Sequence, residues 1–371
     1  YSLGGITLLC KFDGQRVTMA SQIAGADETV SSLYSVKSEQ ATMLSFDTYN
    51  YLVHYFGQPQ GSMADDPNGT LGGDYEFVIS DATADRIELK GKKYGNRIVM
   101  KAFSADQTWK QYLTRIKKVE DDAFFYEYDL RMDGLYTGQM LRSNYTFIVT
   151  YYDEVGKVYQ KTVPFMFTTD GMRFHEPVTI DGQTMQNFVW KNEEISFVCT
   201  DEGATGVKMK GIYIDGYQSY DYYPGTYLMD FYRLNGATNQ LEVASQEIQL
   251  VKNEDGKSYW LKGLEYDILV TYDKPRGGLS ILPQFLKKVQ GGYVYLAMWD
   301  LMNDYVLRSS AIGLISYPTT DGIYLVDNGV WMGEISGFIF GVYDSQDEEA
   351  SFMGYTDAVA AIRLIKKTIE E

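Results

Sequence analysis

The sequence predicts a mainly β protein: two tandem antiparallel meander modules, barrel-like or with strongly curved sheets, carrying a few helical insertions. Three observations predict it. Short runs of alternating apolar and polar residues recur along most of the 371 residues. Most of these runs are joined by short polar turns, which favours antiparallel over βαβ connectivity. The chain is also rich in Tyr (32) and Gly (35), which suit half-buried pleated surfaces and tight turns. A long meander has edges to hide, and closing into a barrel is the simplest way to hide them.

Taken in order, residues 6–12 and 16–21 flank Asp13-Gly14, a hairpin signal. A helical insertion is expected at 47–56, where Tyr51, Leu52, Tyr55 and Phe56 are apolar, with a loop at 57–73 behind it. Residues 75–80, 86–90 and 97–101 read as a three-stranded meander. The strongest helix is 104–119: Ser104 and Gln107 have capping-box spacing, and Trp109, Tyr112, Leu113, Ile116 and Val119 share one face. Residues 145–152 and 157–167 form a further hairpin around Asp153-Glu154-Val155-Gly156. At the C-terminus, Thr356 can cap a helix in which Val359, Ile362, Ile365 and Ile369 recur at helical spacing.

Internal similarities run in one order along the chain. Gly5-Ile6-Thr7-Leu8-Leu9 leading to Ala20-Ser21-Gln22 resembles Gly225-Thr226-Tyr227-Leu228-Met229 leading to Ala244-Ser245-Gln246. Leu89-Lys90-Gly91 resembles Leu261-Lys262-Gly263, and Thr168-Thr169-Asp170-Gly171 matches Thr319-Thr320-Asp321-Gly322. The first copy is longer where the two helices fall. Two related β modules are therefore expected, 1–202 with both insertions and 207–371 with the C-terminal helix, separated by the polar stretch Asp201-Glu202-Gly203-Ala204-Thr205-Gly206.

With 50 acidic against 33 basic residues the net charge is −17, which argues against nucleic acid or an anionic membrane as partner, because binding phosphates needs a cationic face. No run is long and apolar enough for a transmembrane helix. The chain starts at Tyr1 rather than Met, so a processed N-terminus with any signal peptide upstream is expected. Cys10 and Cys199 match no metal or redox spacing and are either buried thiols, the favoured reading, or one disulfide.

Only His54 and His175 are available for histidine chemistry, and no nucleophile elbow, zincin helix or phosphate loop accompanies them. Each is most simply a structural imidazole. No catalytic residue is assigned. Paired carboxylates are plentiful, but a glycosidase needs two of them facing one bond, which strand spacing does not establish. No cofactor is required; Asp65, Asp66 and Asn68 around an Asn-Gly turn are the one place where Ca²⁺ is conceivable, a plain surface turn being the simpler reading. The sharpest anomaly is a tyrosine cluster: Tyr213, Tyr217, Tyr220, Tyr222, Tyr223, Tyr227 and Tyr232, interleaved with Asp215 and Asp221. Tyrosine offers a flat apolar face and a polar rim, so Tyr217, Tyr220, Tyr222 and Tyr223 with Asp215 and Asp221 are candidate ligand contacts. The competing reading is that these tyrosines cover a sheet face.

The stretches Gly4-Gly5-Ile6-Thr7-Leu8-Leu9-Cys10-Lys11-Phe12 to Arg16-Val17-Thr18-Met19-Ala20-Ser21, Leu44-Ser45-Phe46-Asp47-Thr48-Tyr49, Gly73-Asp74-Tyr75-Glu76-Phe77 to Leu89-Lys90-Gly91-Lys92-Lys93, and Thr169-Asp170-Gly171-Met172-Arg173-Phe174 resemble a family of uncharacterised Bacteroides-type proteins, domain of unknown function 4302. The resemblance implies an exported lipoprotein of the outer membrane or cell surface, lipid-anchored upstream of this chain and associated with nutrient acquisition. It carries no functional residue with it. The expected function is non-enzymatic binding of a neutral glycan, a peptide or an envelope protein. The alternatives are a carboxylate-dependent hydrolase and a structural subunit of an outer-membrane nutrient-uptake complex.

Overall fold

The computed structural model describes residues 4–38, 41–57, 71–153, 155–347 and 349–367. The chain divides into two compact units, Tyr1–Tyr213 and Ile214–Glu371. Among the described residues every strand pair is antiparallel, which short polar turns dictate for the hairpins and which the closing pairs, Glu127–Met132 with Val207–Ile212 and Gly225–Asn235 with Phe352–Lys366, share.

The first unit opens with a seven-stranded curved sheet in chain order: β1 (Leu8–Phe12), β2 (Arg16–Ser21), β3 (Val30–Ser38), β4 (Thr42–Phe46), β5 (Glu76–Ala82), β6 (Arg86–Gly91) and β7 (Arg97–Lys101). Helix α1 (Tyr51–His54) lies between β4 and β5, its N-cap Asn50 accepting a hydrogen bond from the Leu52 amide at 3.1 Å. It is one turn long, shorter than the expected 47–56, because Asn50 rather than Asp47 holds the cap. Helix α2 (Trp109–Asp122) follows β7, with Thr108 and Gln111 forming the capping box that the sequence also offers at Ser104 and Gln107. The helix starts five residues later than expected and buries Leu113, Ile116 and Val119 on the expected face.

An eight-stranded barrel completes this unit: β8 (Glu127–Met132), β9 (Leu135–Ser143), β10 (Thr146–Tyr152), β11 (Val158–Phe167), β12 (Gly171–Ile180), β13 (Gln183–Lys191), β14 (Ser196–Cys199) and β15 (Val207–Ile212). It closes by β15 pairing with β8, Val207 opposite Met132 and Ile212 opposite Glu127. Inward positions alternate along each strand and form an aromatic core that includes Tyr128, Phe147, Phe165 and Phe197. The stretch 201–206 is the turn from β14 to β15 inside this barrel, where Asp201 accepts from the amides of Gln186 and Asn187 at 2.5 and 2.7 Å. Cys10 and Cys199 are both free thiols; burial pushes them up to about 12 and about 11 respectively.

The second unit contains β16 (Gly225–Asn235), β17 (Gln240–Lys252), β18 (Ser258–Lys262), β19 (Ile268–Asp273), β20 (Gly278–Ile281), β21 (Gln284–Val289), β22 (Gly292–Asp300), β23 (Tyr305–Leu307), β24 (Leu314–Thr319), β25 (Gly322–Asp327), β26 (Gly337–Tyr343) and β27 (Phe352–Lys366). Strands β16 to β20, β24, β25 and β27 form a second closed ring, since β27 pairs back onto β16 with Tyr227 opposite Lys366. From β27, strands β26, β22, β21 and β23 extend as a side sheet.

The expected C-terminal helix is therefore a strand, and its misleading periodicity has a cause. Ala361, at φ 50°, is an extra residue that shifts the register against β16. Val359, Ile362 and Leu364 all reach the barrel core, an i, i+3 spacing that a bulge produces without any helix. The collinear repeats also resolve differently. The turns at Thr168 and Thr319 share a Thr-to-Asp hydrogen bond of 3.0 and 2.6 Å. Leu89-Lys90-Gly91 and the Thr168 turn, however, lie on separate sheets, whereas Leu261-Lys262-Gly263 and the Thr319 turn share one barrel. The likeness is thus one of strand ends and turns.

The seam of the second barrel carries a charge clamp. Arg363 on β27 donates to Asp230 on β16 at 2.8 Å and to Asp321 at 3.0 Å. Arg363 and the Ser245 hydroxyl hold the Asp230 carboxyl below the usual carboxylate range. A carboxyl depressed in the folded state adds stability above its unfolded pKa of about 3.9 and loses it as pH falls through the folded value. The destabilisation caused by Arg363→Met should accordingly be present at pH 7 and shrink below about pH 4, checked by urea titrations across pH. A penalty independent of pH would contradict the clamp.

Candidate functional site

The tyrosine-rich segment divides between the two units. Tyr213 belongs to the first, its ring 5.0 Å from Phe125. In the second, Tyr223 and Tyr227 are buried, Tyr217 and Tyr220 half-buried, and Tyr222 and Tyr232 exposed. Tyr220 stacks on Tyr259 at 4.7 Å and lies edge-on to Tyr272 at 5.5 Å. The hydroxyls point at backbone: Tyr220 donates to Ser258 O at 2.8 Å, Tyr223 to Gly277 O at 2.8 Å, Tyr227 to Tyr223 O at 2.7 Å, and Tyr259 to Tyr220 O at 2.6 Å. Tyr272 donates to Gln218 O at 2.8 Å. Burial raises the pKa of Tyr223, Tyr227, Tyr259 and Tyr272 above the ordinary phenol range. These rings fasten the segment before β16 onto the barrel. What faces solvent is Tyr222, with Lys366 over its ring at 5.0 Å, Asp215, and Asp221, which pairs with Lys252.

His54 packs between the rings of Tyr49 and Tyr75, and its Nδ1 lies 2.9 Å from Asn50 O. His175 is packed against the backbone at Gly5, and burial lowers its pKa. Asp65, Asp66 and Asn68 lie outside the described residues. Among the described residues no group of three or more His, Cys, Asp or Glu is arranged to hold a metal.

The first unit holds a cleft of about 370 Å³ that local sequence patterns do not reveal. It is lined by Ile23 beyond β2, Tyr51 and Tyr55 around α1, Glu120 of α2, and Arg142, Asn144 and Tyr145 at the β9–β10 turn. Its volume is that of a small-ligand site. The turn is held in place from two sides. Asn144 adopts φ 51°, which Asn tolerates better than most residues. Gly4, at φ 96°, pairs with Tyr145, and a Cβ there would fall 2.0 Å from the Tyr145 carbonyl, so only glycine lets the N-terminal segment run along the barrel.

Arg142 is the hub. Its Nε donates to Asn144 O at 2.9 Å and one terminal nitrogen donates to Ala123 O at 2.9 Å, while the other lies 3.7 Å from Glu120. The guanidinium sits 5.0 Å from the Phe167 ring centre. Burial, with the negative charge of Glu120 beside it, raises the Tyr145 hydroxyl above the ordinary phenol range. Tyr51 is pushed up to about 12 by burial and by its hydrogen bond to Glu28. The cleft presents three tyrosine rings, the Glu120 carboxyl group, the Arg142 guanidinium and the Asn144 amide. It can stack flat apolar faces on tyrosine rings and exchange hydrogen bonds with hydroxyls.

The sequence signal that points to this site is phase. Gly138 and Met140 face the barrel interior on β9, and Arg142 continues that alternation, placing a charge at a core-phase position.

A family profile described as a domain of unknown function, DUF4302, matches residues 1–192, and a second, DUF4987, also described as a domain of unknown function, matches residues 200–339. No curated protein matches the chain. With more than half its length covered by the first profile, the chain belongs to the DUF4302 family.

Proposed function

We propose that the chain is a non-enzymatic binding protein of the cell envelope, exported and held at the outer membrane or cell surface by a lipid anchor upstream of these residues, and that it takes a neutral glycan in the Arg142 cleft. The observation that carries the reading is the cleft itself: tyrosine rings for the faces of a sugar, with Glu120, Arg142 and Asn144 placed for its hydroxyls. The net charge of −17 disfavours anionic polymers. Among the described lining residues Glu120 is the single carboxylate, and it lies beside Arg142, whereas acid–base glycoside cleavage uses two carboxylates facing one bond. The family resemblance supports the envelope location.

An array of neutral glycans and uncharged peptides, probed with wild type and with the double variant Glu120→Gln, Tyr55→Ala, tests the reading. Binding of neutral glycans should fall by about tenfold or more in the variant, the loss expected for one charge-assisted hydrogen bond and a ring contact. Equal binding by both proteins, or binding of wild type to charged ligands alone, contradicts it.

A further inference from the structure

The side sheet of the second unit carries a second constellation, distinct from the Arg142 cleft. Antiparallel register places Phe285 of β21 opposite Tyr295 of β22, and Tyr293 opposite Tyr343 of β26, which in turn faces Phe352 of β27. Directly paired residues share a face, so these rings form one row across four strands. Their centres are in contact distance throughout: Phe285 to Tyr295 at 5.4 Å, Tyr295 to Tyr343 at 5.7 Å, Tyr343 to Phe352 at 5.5 Å. The opposite face, with Val294, Leu296, Phe338 and Phe340, belongs to the barrel core. The row ends in exposed rings, since Phe285 and Phe352 are each 44% accessible.

Three features make this row more than an apolar face. Arg308 lies over the middle of it, its guanidinium 4.2 Å from the Tyr343 ring centre and 4.8 Å from that of Tyr295, with one nitrogen donating to Asp347 O at 2.5 Å. The Tyr343 side chain is buried, yet its hydroxyl has no hydrogen-bond partner among the described residues, an unusual state for a buried polar atom. Between β26 and β27, Asp344, Ser345, Asp347 and Glu349 line an open cavity of about 570 Å³.

The geometry points to this row, with Asp344, Ser345, Asp347 and Glu349 beside it, as a binding platform for an extended neutral oligosaccharide. Ring faces at both ends stack against sugar rings, and the three inter-strand spacings between Phe285 and Phe352, about 14 Å in all, suit a chain lying across the strands. Arg308 offers donors in the middle, while Asp344, Asp347 and Glu349 accept from sugar hydroxyls and repel uronate or sulfated chains. Protein-docking faces are depleted of Asp, Glu and Ser, the residue types that stand beside this row at Asp344, Ser345, Asp347 and Glu349.

Native electrophoresis through gels cast with hydroxyethylcellulose, starch or galactomannan, with alginate as the anionic control, tests the platform. Wild type should be retarded by at least one neutral polymer and not by alginate, and Phe285→Ala with Phe352→Ala should abolish that retardation with an unchanged melting temperature. Both side chains are well exposed, so the fold should tolerate their loss. Phe285→Ala with Phe352→Ala should leave the array binding that depends on Glu120 and Tyr55 as in wild type, which separates this site from the one in the first unit. No retardation by any neutral gel, retardation by alginate alone, or retardation undiminished by the platform substitutions overturns the proposal. So does self-association on sedimentation that the platform substitutions remove without any polymer binding, which would make the row a protein contact.

Discussion

Tyr259→Ala is expected to lower the unfolding free energy by about 3–5 kcal/mol, and Tyr223→Ala by a similar amount, whereas Tyr222→Ala costs less than about 1 kcal/mol. Tyr259 and Tyr223 are almost fully buried, stand 6.1 Å apart ring to ring, and reach the Tyr220 and Gly277 carbonyls with their hydroxyls. Truncation leaves a cavity the barrel wall cannot fill, and it strips the Tyr220 carbonyl of the Tyr259 hydroxyl or leaves the Gly277 carbonyl with the Gln218 amide alone. Tyr259→Phe isolates the second effect and should cost about 1–2 kcal/mol. Urea denaturation of the purified variants checks the series. Near-neutral values for Tyr223→Ala and Tyr259→Ala would mean that these tyrosines do not fasten the barrel and are free for a ligand.

Arg142→Met is expected to cost about 2–4 kcal/mol and to remove ligand binding at the cleft. The methionine keeps much of the stem that packs near Phe167 but leaves the Asn144 carbonyl without the guanidinium donor, the Ala123 carbonyl with the Tyr128 hydroxyl alone, and Glu120 without its nearby cation. Arg142→Lys keeps the charge without the planar fork, so it should retain part of the stability and little of the binding. Urea titration combined with calorimetric titration of an array-positive glycan separates the two effects. A variant that loses stability yet binds the glycan as wild type does would place the ligand elsewhere.

Much of the fold is legible in the sequence because hairpins are local. The Asp13-Gly14 turn, the 86–90 and 97–101 strands and the 157–167 strand stand within a residue or two of where alternation and turn chemistry put them. Closure is different: β8 meets β15 and β16 meets β27 across long stretches of chain, and no local pattern encodes which strands meet. The C-terminal strand was misleading for a specific reason, since the bulge at Ala361 moves the inward phase from Val359 to Ile362 and copies helical spacing. The tyrosine density is visible locally, but its meaning lies in Ser258, Gly277 and Tyr272, which arrive from other strands. The cleft gathers residues from two strand ends and two helices, so its one advance signal was an arginine in the inward phase of β9.

The most direct test of the central claim is a crystal structure of the protein soaked with a neutral oligosaccharide that it binds on the array. The account predicts density for a sugar ring among Tyr51, Tyr55 and Tyr145, with its hydroxyls within hydrogen-bond distance of Glu120 or Arg142. An unoccupied cleft in crystals that hold the sugar at another surface would contradict it.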